Sequence, residues 1–242
     1  SGTLRYITNQ PTLGEFGGTA EISATDGSDA DFGGSVKAAV NIPIAETAAV
    51  RVVGFYNELA GFIDATQPSL AVREDVDGGS KAGGRVSVLI QPNENLAITP
   101  RVVFQKLETD GFPRIDFYNI LGNPFTTTQP AVDLGERGQF TQLTEGIDDD
   151  FQLADLKVEY DFGGATLTAV SSYTDREVVV TRDATSLTGS VTFDLGGTDP
   201  EVRINSPLVD TTRLHAFSQE VRLASNGAGQ FQWVAGAFYQ DL

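Results

Sequence analysis

Apolar and polar residues alternate along most of this chain, in segments of ten or more residues. Successive side chains of a β-strand point to opposite faces, so a period of two is typical of strands with one apolar and one polar face. In 151–162, for example, Leu156 and Val158 alternate with charged residues. Helical periodicity is hard to find. The pattern predicts nine long strands, at 15–25, 32–42, 48–57, 82–91, 95–107, 151–162, 165–182, 213–225 and 230–241.

The connections between these strands alternate in length. Long connections at 58–80, 108–150 and 183–212 follow the third, fifth and seventh strands, and the others are short. Because consecutive antiparallel strands reverse direction, all the long connections fall at one end of the sheet. Tight periplasmic turns and long extracellular loops are typical of outer-membrane barrels. We therefore expect an all-β fold, an antiparallel transmembrane β-barrel segment of about nine consecutive strands.

The alternation also assigns the two faces of this barrel segment. A charged side chain in contact with lipid costs about 2–4 kcal/mol at the membrane midplane, so the apolar face should meet lipid and the charged face the lumen. The residues expected to face lipid are Val36, Val40, Val86, Val88, Ile98, Val102, Leu156, Val158, Val221 and Leu223. Those expected to face the lumen are Lys37, Arg51, Arg85, Arg101, Lys157 and Arg222. Trp233 and Tyr239 lie near the two ends of the last strand, where interfacial aromatic residues occur.

Composition excludes several functions. The chain has no Cys and one His, His215, which excludes disulfide scaffolds, thiolate metal sites and multi-histidine sites. A formal net charge of −17 argues against general nucleic-acid binding. The connections 26–31, 58–80, 108–150 and 183–212 hold 22 of the acidic residues and 4 of the basic ones, so the excess charge belongs to one end of the sheet. This distribution has two interpretations, ordinary polar loops or an acidic extracellular vestibule.

Candidate chemistry is limited to binding. The loop 108–150 is far longer than ordinary connections, and its aromatic residues either pack the loop against itself or contact a ligand. These residues are Phe112, Phe117, Tyr118 and Phe125. The lumen residues Arg51, Arg85 and Arg101 are candidates to hold a plug or attract an anionic ligand. A Ser-His-Asp triad could form only through His215, and no G-x-S-x-G motif is present. We expect no enzyme, no catalytic or metal residues and no cofactor.

The opening Gly2–Pro11, GTLRYITNQP, resembles the end of the plug domain in TonB-dependent outer-membrane receptors. Further segments resemble barrel strands of the same family: Phe16-Gly17-Gly18, Asp31–Gly34, Ala49–Val52, Phe217–Ser225 and Trp233–Tyr239. The family fold is a barrel of about 22 strands with a plugged lumen. The resemblance implies that 1–12 is the last plug strand with its linker and that 13–242 is the first part of the barrel. The chain would then be a piece of a longer protein.

The resemblance also implies active import across the bacterial outer membrane. A scarce nutrient, most commonly a siderophore–iron complex or related metal chelate, binds outside, and TonB in the inner membrane pulls on the plug. The implied partners are TonB, through the missing N-terminal part, a small-molecule ligand, outer-membrane lipid and the remaining plug and barrel segments. The alternative is a passive porin or other structural outer-membrane barrel without energy coupling. A soluble β-sandwich is a third interpretation, which the long strands and sorted loop lengths disfavour.

The strand count makes a further prediction. Bacterial single-chain barrels have even strand numbers, whereas the pattern predicts nine strands. We therefore expect a curved antiparallel sheet of consecutive neighbours whose first and last strands do not pair with each other.

Overall fold

The computed structural model of the chain describes residues 8–116, 134–227 and 230–242. The elements within them are β1 (Gly17–Thr25), β2 (Gly33–Ala45), β3 (Ala48–Leu59), β4 (Asp64–Thr66), β5 (Val72–Arg73), β6 (Gly79–Asn93), β7 (Leu96–Thr109), β8 (Gly138–Phe140), β9 (Gly146–Asp161), β10 (Ala165–Asp183), α1 (Thr185–Asp194), α2 (Asp199–Val202), β11 (Pro207–Ser225) and β12 (Val234–Asp241). The protein is therefore mostly β, as the alternation predicts. No helix of these ranges is long and apolar enough to cross a membrane.

Nine strands form one antiparallel sheet in the order β1-β2-β3-β6-β7-β9-β10-β11-β12. Each of the nine predicted strands corresponds to one of these, and each lies beside its neighbour in the chain. β1 and β12 are the two edges and do not pair with each other, so the sheet is open. The prediction of an open antiparallel sheet of consecutive neighbours is confirmed for the described residues.

The pairing register places the apolar and basic residues on opposite faces. Directly paired residues share a face of a sheet, and Val52 pairs with Val86, which pairs with Val102. We call the face that contains these valines the outer face. Large apolar side chains remain exposed on it, among them Val36, Val86, Val102 and Leu156. The opposite, inner face carries Lys37, Arg51, Arg85, Arg101, Lys157 and Arg222, as the alternation of apolar and polar residues predicts.

The long connections are all at one end of the sheet and have structure of their own. They contain a second, three-stranded sheet in the order β5-β4-β8, and the helices α1 and α2. We call the connections 60–78, 110–116, 134–145 and 184–206, with these elements, the loop cap. A small core of Ile63, Ala65 and Val76 lies in the loop cap.

Two features depart from the sequence prediction. The strands extend further toward the loop cap than expected, since β9 begins at Gly146 and β11 at Pro207. Aspartates 148–150 are poor strand formers, but pairing with β7 and β10 includes them in β9. The helix α1 was not predicted because its sequence TSLTGSVTFD has no amphipathic period.

Candidate functional site

A continuous row of polar residues crosses the inner face of the large sheet. Each member pairs directly with the next, from β2 to β12, so the row lies at one level of all these strands. Its members are Asn41, Arg51, Ser87, Arg101, Asp155, Ser172, Ser218 and Gln240. We call them the polar row. Within it Arg101 Nε donates to Asp155 Oδ2 at 2.6 Å, and the hydroxyls of Ser172 and Ser218 are 2.7 Å apart.

The residues 8–16, which we call the N-terminal segment, lie against this row. The side chain of Asn41 anchors their backbone: its Oδ1 accepts from Thr12 N at 2.9 Å, and its Nδ2 donates to the carbonyls of Thr12 and Glu15 at 2.9 and 2.6 Å. Asn41 is only 5% exposed, and Pro11 is buried. A side-chain amide that replaces β-pairing partners in this way fixes the segment on the inner face instead of at the edge of the sheet.

Two of the three predicted lumen arginines bind the N-terminal segment. Arg85 Nη2 donates to the carbonyl of Asn9 at 3.3 Å, and Arg101 Nη1 donates to Thr8 Oγ1 at 3.1 Å. Arg51 lies beside them on β3, in the polar row. The three arginines that the alternation predicts on the lumen side therefore lie on adjacent strands of one face.

Two cavities lie between the N-terminal segment and the sheet. The larger, of about 260 Å³, is lined by Asn9, Glu21, Lys37, Arg51 and Arg85 among others. The smaller, of about 130 Å³, is lined by Gln10, Thr99, Arg101, Asp155, Lys157 and Val170. The inner face therefore has two partly open cavities next to guanidinium groups.

Two carboxylates, the buried Glu145 and the half-buried Asp183, hold the loop cap together. Glu145 is 4% exposed, and its Oε1 accepts from Asp183 N at 2.8 Å and from Arg114 Nη1 at 3.2 Å. Asp183 Oδ2 in turn accepts from the backbone N–H groups of Gln142 and Leu143 at 2.5 and 3.0 Å. These contacts join the connection that follows β7 to the end of β10, so the longest loops form one assembly.

One of the four predicted loop aromatics lies among the described residues. Phe112 is half-buried, and the guanidinium carbon of Arg182 lies 5.7 Å from its ring centroid, within the range of a cation–π contact. This contact favours a packing role for Phe112. The other three, Phe117, Tyr118 and Phe125, lie outside the described residues.

Sequence reasoning missed a pocket between the loop cap and the short connection that joins β1 to β2. It has a volume of about 380 Å³, and Asp29, Phe62, Asp64, Glu136 and Arg137 contribute to its wall. Its residues come from three separate connections, so no local motif could reveal it. Within the parts of the chain that the structure covers, no group of three His, Cys, Asp or Glu residues could hold a metal ion.

One carboxyl group beside this pocket is electrostatically strained. Partial burial, followed by the negative charges of Asp31 and Asp64, raises the pKa of Asp75 above the ordinary value. His215, near the middle of β11, is exposed and lies 3.2 Å from a carboxylate oxygen of Asp175. Because both side chains are largely exposed, this pair has no enclosed site around it in which to do chemistry.

The fold and site define an all-β protein whose main sheet is open, exposes an apolar face and holds an extended segment on its polar face. No family model matches the chain, and no curated protein or solved structure matches it either.

Proposed function

We propose that this chain is part of a TonB-dependent importer of the bacterial outer membrane, which takes up a small nutrient, most simply a metal chelate. One observation carries the proposal: the N-terminal segment begins with Thr8–Pro11, the last four residues of the plug-like stretch Gly2–Pro11. It lies on the inner polar face and is bound there by Asn41, Arg85 and Arg101. A plug must leave the lumen along the inside of the barrel wall, and the segment follows such a path. A passive porin has no plug to connect.

The outer face supports a membrane environment. In the described part of the chain, the few buried apolar residues are Ala49, Ile63, Ala65, Val76 and Val202, so no packed hydrophobic core covers either face of the large sheet. A soluble sandwich would bury one face against a second sheet. The exposed valines and leucines of the outer face instead form a broad apolar surface, which lipid would cover.

The height of this surface fits a bilayer. On β7 the outer face is apolar from Leu96 to Phe104. With a rise of about 3.4 Å per residue this is about 27 Å of strand, or about 21 Å of membrane thickness at a ~40° tilt. Outer-membrane barrels have an apolar band of about 25 Å.

Charged residues follow directly above the apolar surface, on the side of the loop cap. Lys106 Nζ lies 2.6 Å from Glu108 and 3.8 Å from Asp148, and Arg213 Nε lies 2.6 Å from Glu177. All five side chains lie on the outer face, as Val102 does, and each is nearer to the loop cap than Val102 and the residues paired at its level. Such ion pairs are costly in hydrocarbon and inexpensive in water, so they mark where we place the membrane boundary.

The proposed mechanism is binding and gating, with no covalent step. The loop cap, which borders a 380 Å³ pocket, would receive the nutrient. The contacts of Asn41, Arg85 and Arg101 would hold the plug exit while the importer is at rest. These are hydrogen bonds with three backbone carbonyls, one backbone N–H and one hydroxyl. Water can replace each of them, so a pull transmitted from TonB could release the segment.

The decisive experiment compares nutrient uptake in cells with and without TonB. Cells that express the full-length gene would be given radiolabelled ferric siderophores, haem and cobalamin, and both surface binding and internal accumulation would be measured. We expect binding in both strains and accumulation only with TonB. Equal accumulation in both strains, for every substrate that binds, would make the passive barrel the correct interpretation.

A labelling experiment tests the gating step separately. The chain has no cysteine, so an Asn9→Cys variant of the full-length protein, with any cysteine outside this chain changed to serine, gives a single reporter of the N-terminal segment. We expect its reaction with a water-soluble maleimide to speed up when both ligand and TonB are present. A Glu46→Cys variant, in the short turn between β2 and β3, should react at one rate under all conditions.

A further inference from the structure

Two neighbouring arginines of the inner face have no carboxylate partner among the described residues. Arg51 pairs with Ser87 and Arg85 with Val53, so the two are diagonal neighbours on adjacent strands, with Cα atoms about 7–8 Å apart. The next arginine, Arg101, differs from them because Asp155 neutralises it at 2.6 Å. Arg51 and Arg85 therefore place two positive charges together without a counter-charge from the sheet.

Their hydrogen-bonding capacity is also largely unused. The Nε atoms of Arg51 and Arg85 are both buried and have no acceptor. Arg85 gives one bond, from Nη2 to the carbonyl of Asn9 at 3.3 Å. Each guanidinium has five N–H donors in a fixed planar arrangement, and buried donors in native proteins are nearly always satisfied. The donors that an acceptor beside these arginines would meet are those on the η nitrogens, of which only Arg85 Nη2 makes a hydrogen bond among the described residues.

A space large enough for such an acceptor lies beside the two arginines. The cavity of about 260 Å³ between the N-terminal segment and the sheet is lined by Lys37, Arg51 and Arg85, and by one carboxylate, Glu21. Glu21 is already paired with Lys37 at 3.2 Å. The charge of the lining is therefore positive, and the excess lies at Arg51 and Arg85.

We propose that this cavity binds a small oxyanion, a phosphate or carboxylate group, through the guanidinium groups of Arg51 and Arg85. Planar guanidinium groups match the oxygen geometry of both anions and form short, charge-assisted hydrogen bonds with them. The acidic residues of the loop cap do not oppose this binding, because exposed charges are screened within about 8 Å at physiological ionic strength. The anion is either a free ion or an acidic group of a larger ligand, and both share this chemistry.

The test is direct binding of inorganic phosphate to the purified full-length protein in detergent micelles. Equilibrium dialysis with labelled phosphate, at fixed ionic strength, should give saturable binding of one phosphate per chain. Arg51→Gln and Arg85→Gln should each weaken it at least tenfold. Arg222→Gln is the matched control, since Arg222 lies on the same face four to five strands away, about 20 Å, and should leave binding unchanged.

Lysine variants keep the test decisive if a glutamine variant does not fold, which circular dichroism would show. Arg51→Lys and Arg85→Lys retain the charge but lose the planar donor pair, so they should bind more weakly than the unmodified chain. Competition by citrate at constant ionic strength separates the sources: displacement of phosphate shows that carboxylates are accepted, and no displacement restricts the site to phosphate groups.

Two results would overturn the proposal: no saturable binding by the unmodified chain, or equal binding by the variants at 51, 85 and 222. The assay uses neither cells nor TonB. Its failure would therefore leave the import proposal standing, and a failure of TonB-dependent uptake would leave the anion site standing.

Discussion

Replacing Val102 by arginine tests whether the outer face meets lipid. Val102 is 52% exposed, and it is flanked on the same face by Val86 and Ala154. It lies inside the apolar surface of β7, two positions from its last member, Phe104. If the face is in a membrane, the new guanidinium would enter hydrocarbon. If the face is in water, it would simply replace one exposed side chain by another.

The two environments predict different energies. An arginine near the midplane of an outer-membrane barrel costs about 2–4 kcal/mol. A surface substitution in water is usually within about 0.5 kcal/mol of neutral. The membrane interpretation therefore predicts that Val102→Arg shifts the folding equilibrium roughly 30- to 700-fold, whereas the aqueous interpretation predicts a change of about twofold.

The measurement is urea unfolding of the full-length protein in phosphatidylcholine vesicles, followed by far-ultraviolet circular dichroism. Ile115→Arg is the matched control, because Ile115 is 47% exposed and lies in the loop cap, outside the proposed membrane. Leu96→Arg, at the turn end of the same strand and face, should cost only about 0–1 kcal/mol because it would lie near the interface.

If Val102→Arg and Ile115→Arg changed the free energy of unfolding by the same amount, within the error of the curves, the membrane assignment would be refuted. A large and equal cost at Val102 and Leu96 would also contradict it, since a bilayer makes the penalty depend on depth.

Three further predictions follow from individual contacts. Asn41→Ala should destabilise the attachment of the N-terminal segment by about 1–3 kcal/mol, because buried hydrogen bonds are lost, and should speed amide exchange at Thr12, which donates to its side chain. Glu145→Ala should cost about 1–3 kcal/mol in the loop cap, because the buried N–H of Asp183 loses its acceptor, and amide exchange at Asp183 would report it. Asp75→Asn should slow amide exchange throughout the loop cap at pH 7, because it removes the charge that burial and neighbouring carboxylates oppose.

The pH dependence of the Asp75 effect follows from its sign. The pKa of Asp75 is raised in the folded protein, so its contribution to stability is present at low pH and is lost as the pH rises through the raised pKa. The gain from Asp75→Asn should therefore be present at pH 7 and disappear in acid. Asp77→Asn is the control and should weaken the cap, because a neutral amide oxygen would replace the charged Oδ1 that accepts from the backbone N–H groups of Phe62 and Ile63 at 2.7 and 2.8 Å. A gain from Asp75→Asn that stayed constant with pH would show that the charge is not its cause.

The sheet could be predicted from sequence because one physical rule governs it throughout. A strand between two different environments must alternate apolar and polar residues. A register shift of one residue would move every side chain to the opposite face, so the pattern determines both the strands and their pairing register. The loop cap follows no such rule. Its contacts join distant segments, as when Arg73 donates to Thr144 Oγ1 at 2.8 Å, and each depends on a fold that the local sequence does not encode.

The candidate site was predictable in part for the same reason. The alternation of apolar and polar residues predicted Arg51, Arg85 and Arg101 on one face, and the structure adds that they are on adjacent strands. Asn41 was not singled out, although it anchors the N-terminal segment, because its role appears only when the segment folds back over it. The pocket beside the loop cap was missed because its walls come from separate connections.

The two edges of the sheet add an argument from elementary energetics. Nearly every residue of β1 and β12 is exposed, and each strand carries a single charged residue, Glu21 or Asp241. In water such long, nearly uncharged edges would pair with other chains and aggregate. In a bilayer their unpaired backbone groups would each cost several kcal/mol, since hydrocarbon offers no hydrogen bonds. Both environments therefore require a strand beside each edge. The importer proposal supplies those strands from the rest of one closed barrel, whereas a soluble sandwich would need both edge partners and a cover for the apolar face.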